Sequence, residues 1–363
     1  MEAPTADPFP LDAVRVLEIG GGIPAAFAAR WLAGFGADVV RVDPETEGLT
    51  PDEAVYLLPG KRRVQASSPG DLLALARAAD IIIEDGPPGA LAARGLDPAA
   101  LRASRPELVI VSITPYGQDG PYASFPATNI TAFAMGGIMS LTGMYQREPL
   151  VTGGSQALYL GGLDAAGAAI TAYFGALISG EGDWVDISLQ ESMAGMLELY
   201  GPRGAYEGAV SIRSGNHVRA VWGLYPCADG YAGVCALERQ VPALFALLGD
   251  PELDEPRFRD PLERPNHDDE LQAKLYAWFG ERTKAELLEL GVRHRVPIGA
   301  VVTPRELLDN PSLRERGFFD TVETPDGTAR IPGRPFLGLP WRPGRLNEPV
   351  PAADILATWS TRP

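Results

Sequence analysis

The chain has 363 residues, and its 31 lysines and arginines against 47 aspartates and glutamates give a formal net charge of −16. Apolar residues make up 45% and charged residues 21%, which is ordinary globular usage and excludes the disordered and fibrous classes. The negative charge argues against a nucleic-acid partner, because phosphates would be repelled over most of the surface. Two cysteines and three histidines, dispersed along the chain, exclude a disulfide scaffold and disfavour a metal site.

Neither a membrane span nor a signal peptide is predicted. No apolar run reaches the roughly 18 residues that a membrane helix needs, and the best candidate, Ala165–Ile178, is expected to be a buried helix. The N-terminus lacks the basic region followed by an apolar one that marks a secretory signal. We therefore expect a soluble, cytoplasmic protein without a membrane partner, and the length predicts two domains.

The first part of the chain alternates predicted strands and helices. Val14–Ile19 is an apolar run closed by three glycines, which predicts a buried strand entering a tight turn. Ala25–Phe35 carries a helical stripe of large apolar residues and ends at Gly36. The same alternation continues with strands at Asp38–Val42, Ile81–Ile83 and Leu108–Ile113, and with helices at Asp71–Ala79 and Pro88–Arg94. Such alternation predicts an α/β protein with a parallel, doubly wound sheet.

The later part of the chain predicts a second, smaller domain. A Gly/Ala-rich stretch with a helix at Leu163–Ile178 and a strand at Trp184–Leu189 still belongs to the first domain. A hairpin at Gly223–Cys235, two amphipathic helices within Leu271–Leu290 and a strand at Pro297–Val301 then indicate an α+β fold. The Pro-rich tail from Pro332 is expected to run back over the first domain. We therefore expect a large domain from residues 1–200 and 306–363, a connector at 201–215, and a small α+β domain at 216–305.

A glycine-rich turn follows the first predicted strand. Gly20-Gly21-Gly22-Ile23-Pro24-Ala25 fits the pattern G-x-G-x-x-[G/A], and Asp43 ends the next strand about twenty residues later, where a dinucleotide fold places its ribose-binding acid. On local pattern alone, an enzyme that uses NAD or SAM is one interpretation. A tight turn that simply needs glycine is the other.

Several motifs, in order, resemble the class III CoA-transferases, the family that contains formyl-CoA and carnitine CoA-transferases and the α-methylacyl-CoA racemases. The similarity spans about residues 11–336. The matching segments are FGADVVRVDP at 35–44, GKRRV at 60–64, ADIIIE at 79–84, YGQDGPY at 116–122, GGIMSLTG at 136–143 and WVDISL at 184–189. Because the matches keep their order over nearly the whole chain, accidental similarity of an α/β protein is a poor explanation.

The resemblance implies a Rossmann-like large domain formed by both chain ends, a smaller α+β domain, and two ring-shaped chains threaded into an interlocked dimer. It implies substrates of two kinds, an acyl-CoA thioester and a small carboxylic acid, and no metal. Gly20 and Gly21 would then contribute to a site for coenzyme A rather than for a dinucleotide.

The phosphates of CoA need cationic partners, for which the resemblance points to Arg41 and to the adjacent cations Lys61, Arg62 and Arg63. A solvated basic turn is the alternative for the three adjacent cations, and a solvent-facing strand residue for Arg41. Pro87 replaces an arginine that often faces the CoA phosphates in this family, so binding is expected to be weaker or differently posed.

The nucleophile of the family is missing from its expected position. The transferase mechanism needs an aspartate whose carboxylate attacks the donor thioester, and counting from Pro149 places Leu158 there. An alignment slipped by six residues would make Asp164 the acid instead. The alternative for Asp164 is a first-turn or capping acid of a helix that starts at Ala165.

The acid/base histidine of the family's racemases is also missing, because Thr128 stands where it is expected. Glu238 matches a small-domain glutamate that faces the active site in the family, and it remains a candidate catalytic residue.

The sequence leaves three interpretations of the function. The chain is the subunit of a heteromeric CoA-transferase that lacks the nucleophilic Asp; it is a dehydratase, isomerase or racemase-like enzyme on acyl-CoA; or it is a non-catalytic CoA-binding protein.

Overall fold

The computed structural model describes residues 9–44, 48–65, 68–197, 200–208, 211–325 and 327–360. The chain divides into two compact units. The first consists of Met1–Met139, Val151–Ala209 and Pro311–Pro363, and the second of Ser140–Leu150 and Val210–Asn310.

The strands, in chain order, are β1 (Arg15–Ile19), β2 (Asp38–Val42), β3 (Arg62–Gln65), β4 (Ile81–Glu84), β5 (Val109–Thr114), β6 (Trp184–Ser188), β7 (His217–Arg219), β8 (Trp222–Cys227), β9 (Gly230–Cys235), β10 (Ile298–Ala300), β11 (Phe319–Thr324), β12 (Gly327–Pro332) and β13 (Pro349–Pro351). The helices are α1 (Ile23–Gly34), α2 (Pro51–Leu57), α3 (Pro69–Ala78), α4 (Ala90–Ala93), α5 (Pro98–Ser104), α6 (Asn129–Met135), α7 (Gln156–Ser179), α8 (Leu189–Gly195), α9 (Tyr200–Glu207), α10 (Val241–Leu248), α11 (Pro256–Arg259), α12 (Asp268–Gly280), α13 (Lys284–His294), α14 (Pro304–Leu308), α15 (Pro311–Glu315) and α16 (Ala352–Ser360).

The first unit is built on a seven-stranded sheet in the order β13-β3-β2-β1-β4-β5-β6, and every neighbouring pair is parallel. The strands β4 and β5 are short and almost wholly apolar runs, such as Ile81–Ile83, because helices cover both faces of the sheet there. The strand order reverses between β1 and β4, and in such sheets ligands bind at the carboxyl ends of the strands at this point. The predicted parallel, doubly wound sheet is confirmed.

Both ends of the chain contribute to this sheet. The Pro-rich tail returns to the first unit, where β13 pairs with β3 and places Pro349 opposite Arg63. α16 then packs on α3 and buries Ile355 and Trp359 in the core. A sheet edge covered in this way presents fewer unpaired backbone groups to other chains.

α7 is the longest helix among the described residues and begins earlier than the sequence predicts. It starts at Gln156, seven residues before the expected start at Leu163. Among the described residues it is the helix long and apolar enough to cross a membrane by length and composition, a test that the core helix of a soluble protein also passes. Its small residues let it pack closely on α1, since a side chain at Gly162 would approach the carbonyl oxygen of Pro24 to 2.6 Å.

The second unit contains an antiparallel sheet in the order β10-β9-β8-β7. One face buries an apolar core shared with α10, α12 and α13, so the α+β prediction is correct. Residues 140–150 were expected in the large domain, and this boundary is wrong. They pair with the segment before β7 through a bridge between Met144 and Ser214 and through carbonyl groups that accept hydrogen bonds from Arg213. The start of the predicted connector is helix α9.

Candidate active site

The glycine turn at the carboxyl end of β1 is closed by a carboxylate of the chain itself. Asp85, directly after β4, accepts hydrogen bonds from the backbone N–H groups of Gly22 at 3.5 Å and Ala25 at 3.2 Å. A Cβ atom at Gly20 would lie 2.1 Å from the Asp85 carboxylate, so this position requires glycine. Burial raises the pKa of Asp85, and the bond from Ala25 opposes that shift.

Asp85 thus stands where a helix N-terminus would receive a phosphate. Asp43, the acid that a dinucleotide fold would use to bind a ribose, is also engaged within the chain. It accepts two hydrogen bonds, 3.0 and 2.9 Å long, from the guanidinium of Arg63. The geometry therefore favours the interpretation of Gly20–Gly22 as a turn that packs against an internal acid.

Two of the predicted phosphate-binding cations are buried in an ion cluster. Glu18, on the central strand β1, accepts hydrogen bonds from Arg41 at 2.9 Å and from Lys61 at 2.6 Å, and all three side chains have no exposed surface. Lys61 also donates to the carbonyl oxygen of Ala26 at 2.7 Å. Burial lowers the pKa of Lys61 to about 8, against the opposing effect of Glu18.

The expectation that Arg41 and Lys61 face CoA phosphates, or face solvent, therefore needs correction. Their charges offset that of Glu18 inside the sheet core, where an unpaired carboxylate would be costly. Arg62 and Arg63 differ from them, because their side chains are 30% and 27% exposed. Arg62 forms a fork with Asp38, with hydrogen bonds of 2.9 and 2.8 Å.

A buried acid that the sequence interpretation missed ends β4. Glu84 is 3% exposed and accepts a hydrogen bond from the N–H of Gly86 at 2.8 Å. Glu84 lines a cavity of about 130 Å³ together with Ser112 and Gln118. The side-chain nitrogen of Gln118 is buried and has no hydrogen-bond partner among the residues that the structure describes. Burial raises the pKa of Glu84 to about 7. The signal available in the sequence was an acid directly after three isoleucines.

Replacing Glu84 by glutamine is expected to change how stability depends on pH. Between pH 4.5 and 7 the folded protein keeps a proton on Glu84 that the unfolded chain has released, so stability of the wild type falls as the pH rises through this window. The shift corresponds to about 3 kcal/mol of unfolding free energy. Urea unfolding at several pH values should show that, between pH 4.5 and 8, the unfolding free energy of the variant rises by about 3 kcal/mol relative to that of the wild type. Parallel curves for the two proteins would contradict the assignment.

The first turn of α7 holds Leu158, which is half-buried and packs against the α1 side of the sheet. Asn129, the first residue of α6, fixes this turn, since its side-chain oxygen accepts from the N–H of Ala157 at 3.0 Å and its nitrogen donates to the carbonyl of Gly154 at 3.2 Å. The next residue, Tyr159, packs edge-on against Phe27. Leu158 contributes no atom that could attack a carbonyl carbon.

Asp164 is exposed and lies in the interior of α7, on the wall of a cavity of about 400 Å³ that also includes Asp186 and Glu191. The alternative that Asp164 caps a helix or begins its first turn is wrong, because α7 starts eight residues before it. Asp186 accepts a hydrogen bond from the N–H of Gln118 at 2.7 Å, which anchors the loop after β5.

Glu238 lies in the second unit, in a cavity of about 380 Å³. Its two carboxylate oxygens accept hydrogen bonds of 2.8 and 2.9 Å from one nitrogen of Arg264, a side chain that is only 4% exposed. Arg264 also donates to the carbonyl oxygens of Phe258 and Arg259. This pairing favours a supporting role for Glu238, because both of its carboxylate oxygens are already engaged by Arg264.

The structure thus brings only some of the predicted site residues together. Within the first unit, the glycine turn, the Glu18 cluster and the first turn of α7 all adjoin α1, whereas Asp164 lies two turns further along α7. Glu238 belongs to the second unit. Among the residues that the structure describes, no group of three or more His, Cys, Asp or Glu side chains is arranged to hold a metal ion.

Comparisons with known proteins agree with this architecture. A family model described as CoA-transferase family III matches residues 67–354. Succinyl-CoA–D-citramalate CoA-transferase from Chloroflexus aurantiacus is 31% identical over 341 residues, which cover 88% of this chain and 85% of that protein. Subunit BbsE of succinyl-CoA:(R)-benzylsuccinate CoA-transferase from Thauera aromatica is 28% identical over 369 residues, covering 91% of this chain and 89% of that subunit.

A solved structure extends the likeness to three dimensions. The crystal structure of a CAIB/BAIF family protein from Brucella suis matches with a TM-score of 0.86 and 26% sequence identity, covering 96% of this chain and 99% of that one. The family model covers well over half of the chain, and the relatives align over most of their own length. This chain therefore belongs to CoA-transferase family III.

Proposed function

We propose that this chain is the subunit of a heteromeric CoA-transferase that lacks the nucleophilic aspartate, and that it acts with an Asp-bearing homologue on an acyl-CoA and a carboxylic acid. The observation that carries the proposal is Leu158, an aliphatic side chain packed into the first turn of α7. The same turn is the position at which the family resemblance expects the aspartate.

The chemistry explains why Leu158 matters. In the family mechanism a carboxylate oxygen attacks the thioester carbonyl, the C–S bond breaks, and a mixed anhydride and CoA thiolate result. The thiolate then attacks the aspartyl carbonyl, which releases the first acid and leaves an aspartyl-CoA thioester. The acceptor acid repeats both steps in reverse order. Every step passes through the aspartyl carboxyl, and leucine has no lone pair with which to begin.

Relatives of this chain support a role as one of two subunits. The Thauera aromatica relative is named as a subunit of a transferase, and its name pairs succinyl-CoA with the acid (R)-benzylsuccinate. The name of the Chloroflexus relative pairs succinyl-CoA with D-citramalate. An interlocked dimer of two homologous chains, one with the aspartate and one without, fits this proposal, as does a cytoplasmic location with its supply of CoA.

Arg62 and Arg63 are the proposed contacts to the CoA phosphates. They stand on β3 beside β2, they are partly exposed, and each guanidinium is oriented by an aspartate. An arginine fork that is already oriented loses little side-chain entropy when it binds phosphate. Lys61 and Arg41 have no such role in this proposal, since both are buried.

The isolated chain is expected to form no covalent adduct with an acyl-CoA. Incubation with succinyl-CoA or octanoyl-CoA, trapping with hydroxylamine and peptide mass spectrometry should find every carboxyl group unmodified, because Leu158 cannot form the anhydride. An Asp-bearing family member treated in parallel serves as the positive control. A hydroxamate at Asp164 would overturn the proposal and would show that this exposed acid supplies the nucleophile.

A further inference from the structure

A large apolar cavity in the second unit contains none of the residues to which a role has been assigned so far. It has a volume of about 760 Å³, within the range of small-molecule sites. Its wall includes Met144, Leu150, Trp222 and Leu224, all of them exposed apolar side chains. None of the side chains that the structure describes in its lining carries a charge. Exposed apolar surface of this kind commonly marks a binding site, because leaving it in water is unfavourable.

The floor of the cavity is the face of the small sheet that points away from the unit's core. Strand register places Leu224 opposite Gly233, and Gly233 opposite Gly299. The neighbouring residues Tyr225 and Val234 point to the other face and are buried in the core. A Cβ atom at Gly299 would meet no atom within 4 Å, so the two glycines leave a depression across β9 and β10.

The polar groups of the lining favour an apolar occupant. The side-chain amide of Asn216 donates to the carbonyl of Leu224 at 2.6 Å and accepts from its N–H at 3.1 Å, so it shapes the wall of the cavity. A carboxylate pushed into this space would lose its hydration and would meet no cation among the described lining side chains, which is strongly unfavourable. A hydrocarbon body with its single carboxyl or thioester group held outside has no such cost.

We infer that this cavity binds the apolar body of the acid or acyl group that the enzyme handles. The inference rests on the proposed transferase function for the identity of the occupant, and it names the substrate class: monocarboxylic acids with an aliphatic or aromatic body, in preference to short dicarboxylic acids. The cavity thereby determines specificity and is no part of the bond-breaking chemistry.

The two cysteines provide a matched pair of reporters for this site. Cys235 lines the cavity, opposite Trp222 in the register of the sheet. Cys227, on the same sheet, packs against the core and lies outside the cavity. Alkylation of the native full-length protein with iodoacetamide, followed by peptide mass spectrometry, measures both rates in one sample. At about ten times its dissociation constant, octanoate should slow Cys235 about tenfold and leave Cys227 unchanged. Succinate should protect neither thiol.

The hydrocarbon chain can enter the cavity as the free acid or as its CoA thioester, so octanoyl-CoA is tested beside octanoate, with CoA alone as the control. The CoA control also keeps the inference distinct from the proposed function. Protection by octanoyl-CoA as well as octanoate supports a site for the acyl body in both forms, whereas CoA alone should not protect Cys235. Titration calorimetry with CoA tests the proposed function separately. Absence of CoA binding would contradict the transferase proposal, while absence of protection by both octanoyl compounds would overturn the cavity's assignment.

Two variants test the geometry. Gly299→Leu fills open space and should abolish protection of Cys235 by octanoate, whereas Gly280→Leu, another position with no neighbour within 4 Å, should retain it. Leu224→Gln, at an exposed side chain, should weaken protection without a folding defect. A ligand site must be reachable in the native protein, so a Cys235 that reacts only after unfolding would show that protein covers this face and would overturn the inference.

Discussion

A variant in which Glu18 is replaced by glutamine is expected to lose about 3–5 kcal/mol of unfolding free energy, the cost of removing one partner from a buried ion pair. Glu18 is the carboxylate that faces both Arg41 and Lys61, and none of the three side chains reaches solvent. Glutamine keeps the shape but leaves two buried cations without that charge. Urea-induced unfolding followed by circular dichroism measures the loss.

A surface pair offers the matched control for this substitution. Glu207 pairs with Arg203 on α9, and both side chains are about half exposed. The same change, Glu207→Gln, should therefore stay within about 0.5 kcal/mol of wild type. The double variant Glu18→Gln, Lys61→Met should recover part of the loss, since it removes one of the unpaired cations. A Glu18→Gln protein of wild-type stability with altered CoA affinity would instead place Lys61 in the CoA site.

Transferase activity is expected to appear only when this chain is assembled with an Asp-bearing homologue. Co-expression should give a one-to-one complex that moves CoA between an acyl-CoA and an acid. Asp→Asn in the homologue should lower the rate by about 10⁴-fold or more, as expected for loss of a nucleophile. Radiolabelled acid and chromatography of the CoA products measure the exchange. This chain alone should show only the background rate.

Two further variants sharpen the assembly experiment. Leu158→Asp should restore little activity to the isolated chain, because the resemblance expects other residues at Pro87 and Thr128 as well. If the chains are threaded rings, mixing separately folded subunits should restore activity slowly or not at all. A homodimer of this chain that turns over an acyl-CoA and loses that activity on Glu238→Gln would contradict the proposal and establish an isomerase or lyase.

Local sequence patterns were sufficient for five of the seven strands of the parallel sheet and for the family, whereas β3 and β13 were not predicted as strands. Runs such as Ile81–Ile83 are apolar without interruption, and only a strand covered on both faces buries such a run fully. Their alternation with helices predicts parallel pairing, because parallel strands need a crossover connection. The ordered motifs then identify the family, and the count to Leu158 gives the expectation, on which the functional proposal rests, that a leucine stands where the family has its aspartate.

Local patterns were insufficient wherever residues distant in sequence meet. Lys61, Arg62 and Arg63 are indistinguishable as a basic run, yet Lys61 alone turns inward to Glu18, 43 residues earlier. The start of α7 was also misplaced, because Gly161 and Gly162 disfavour a helix by themselves and are tolerated there through close packing on α1.

The sequence by itself determined the fold class, the family and the aliphatic side chain at position 158, because each depends on residue identity and short-range order. Only the tertiary structure decided which charges are available to a ligand. Asp85 closes the glycine turn from 63 residues away, and Glu18 holds two of the predicted phosphate-binding cations inside the sheet. The physical reason is that a charge is free or committed according to what the folded chain places beside it, and strand pairing sets that arrangement over long separations in sequence.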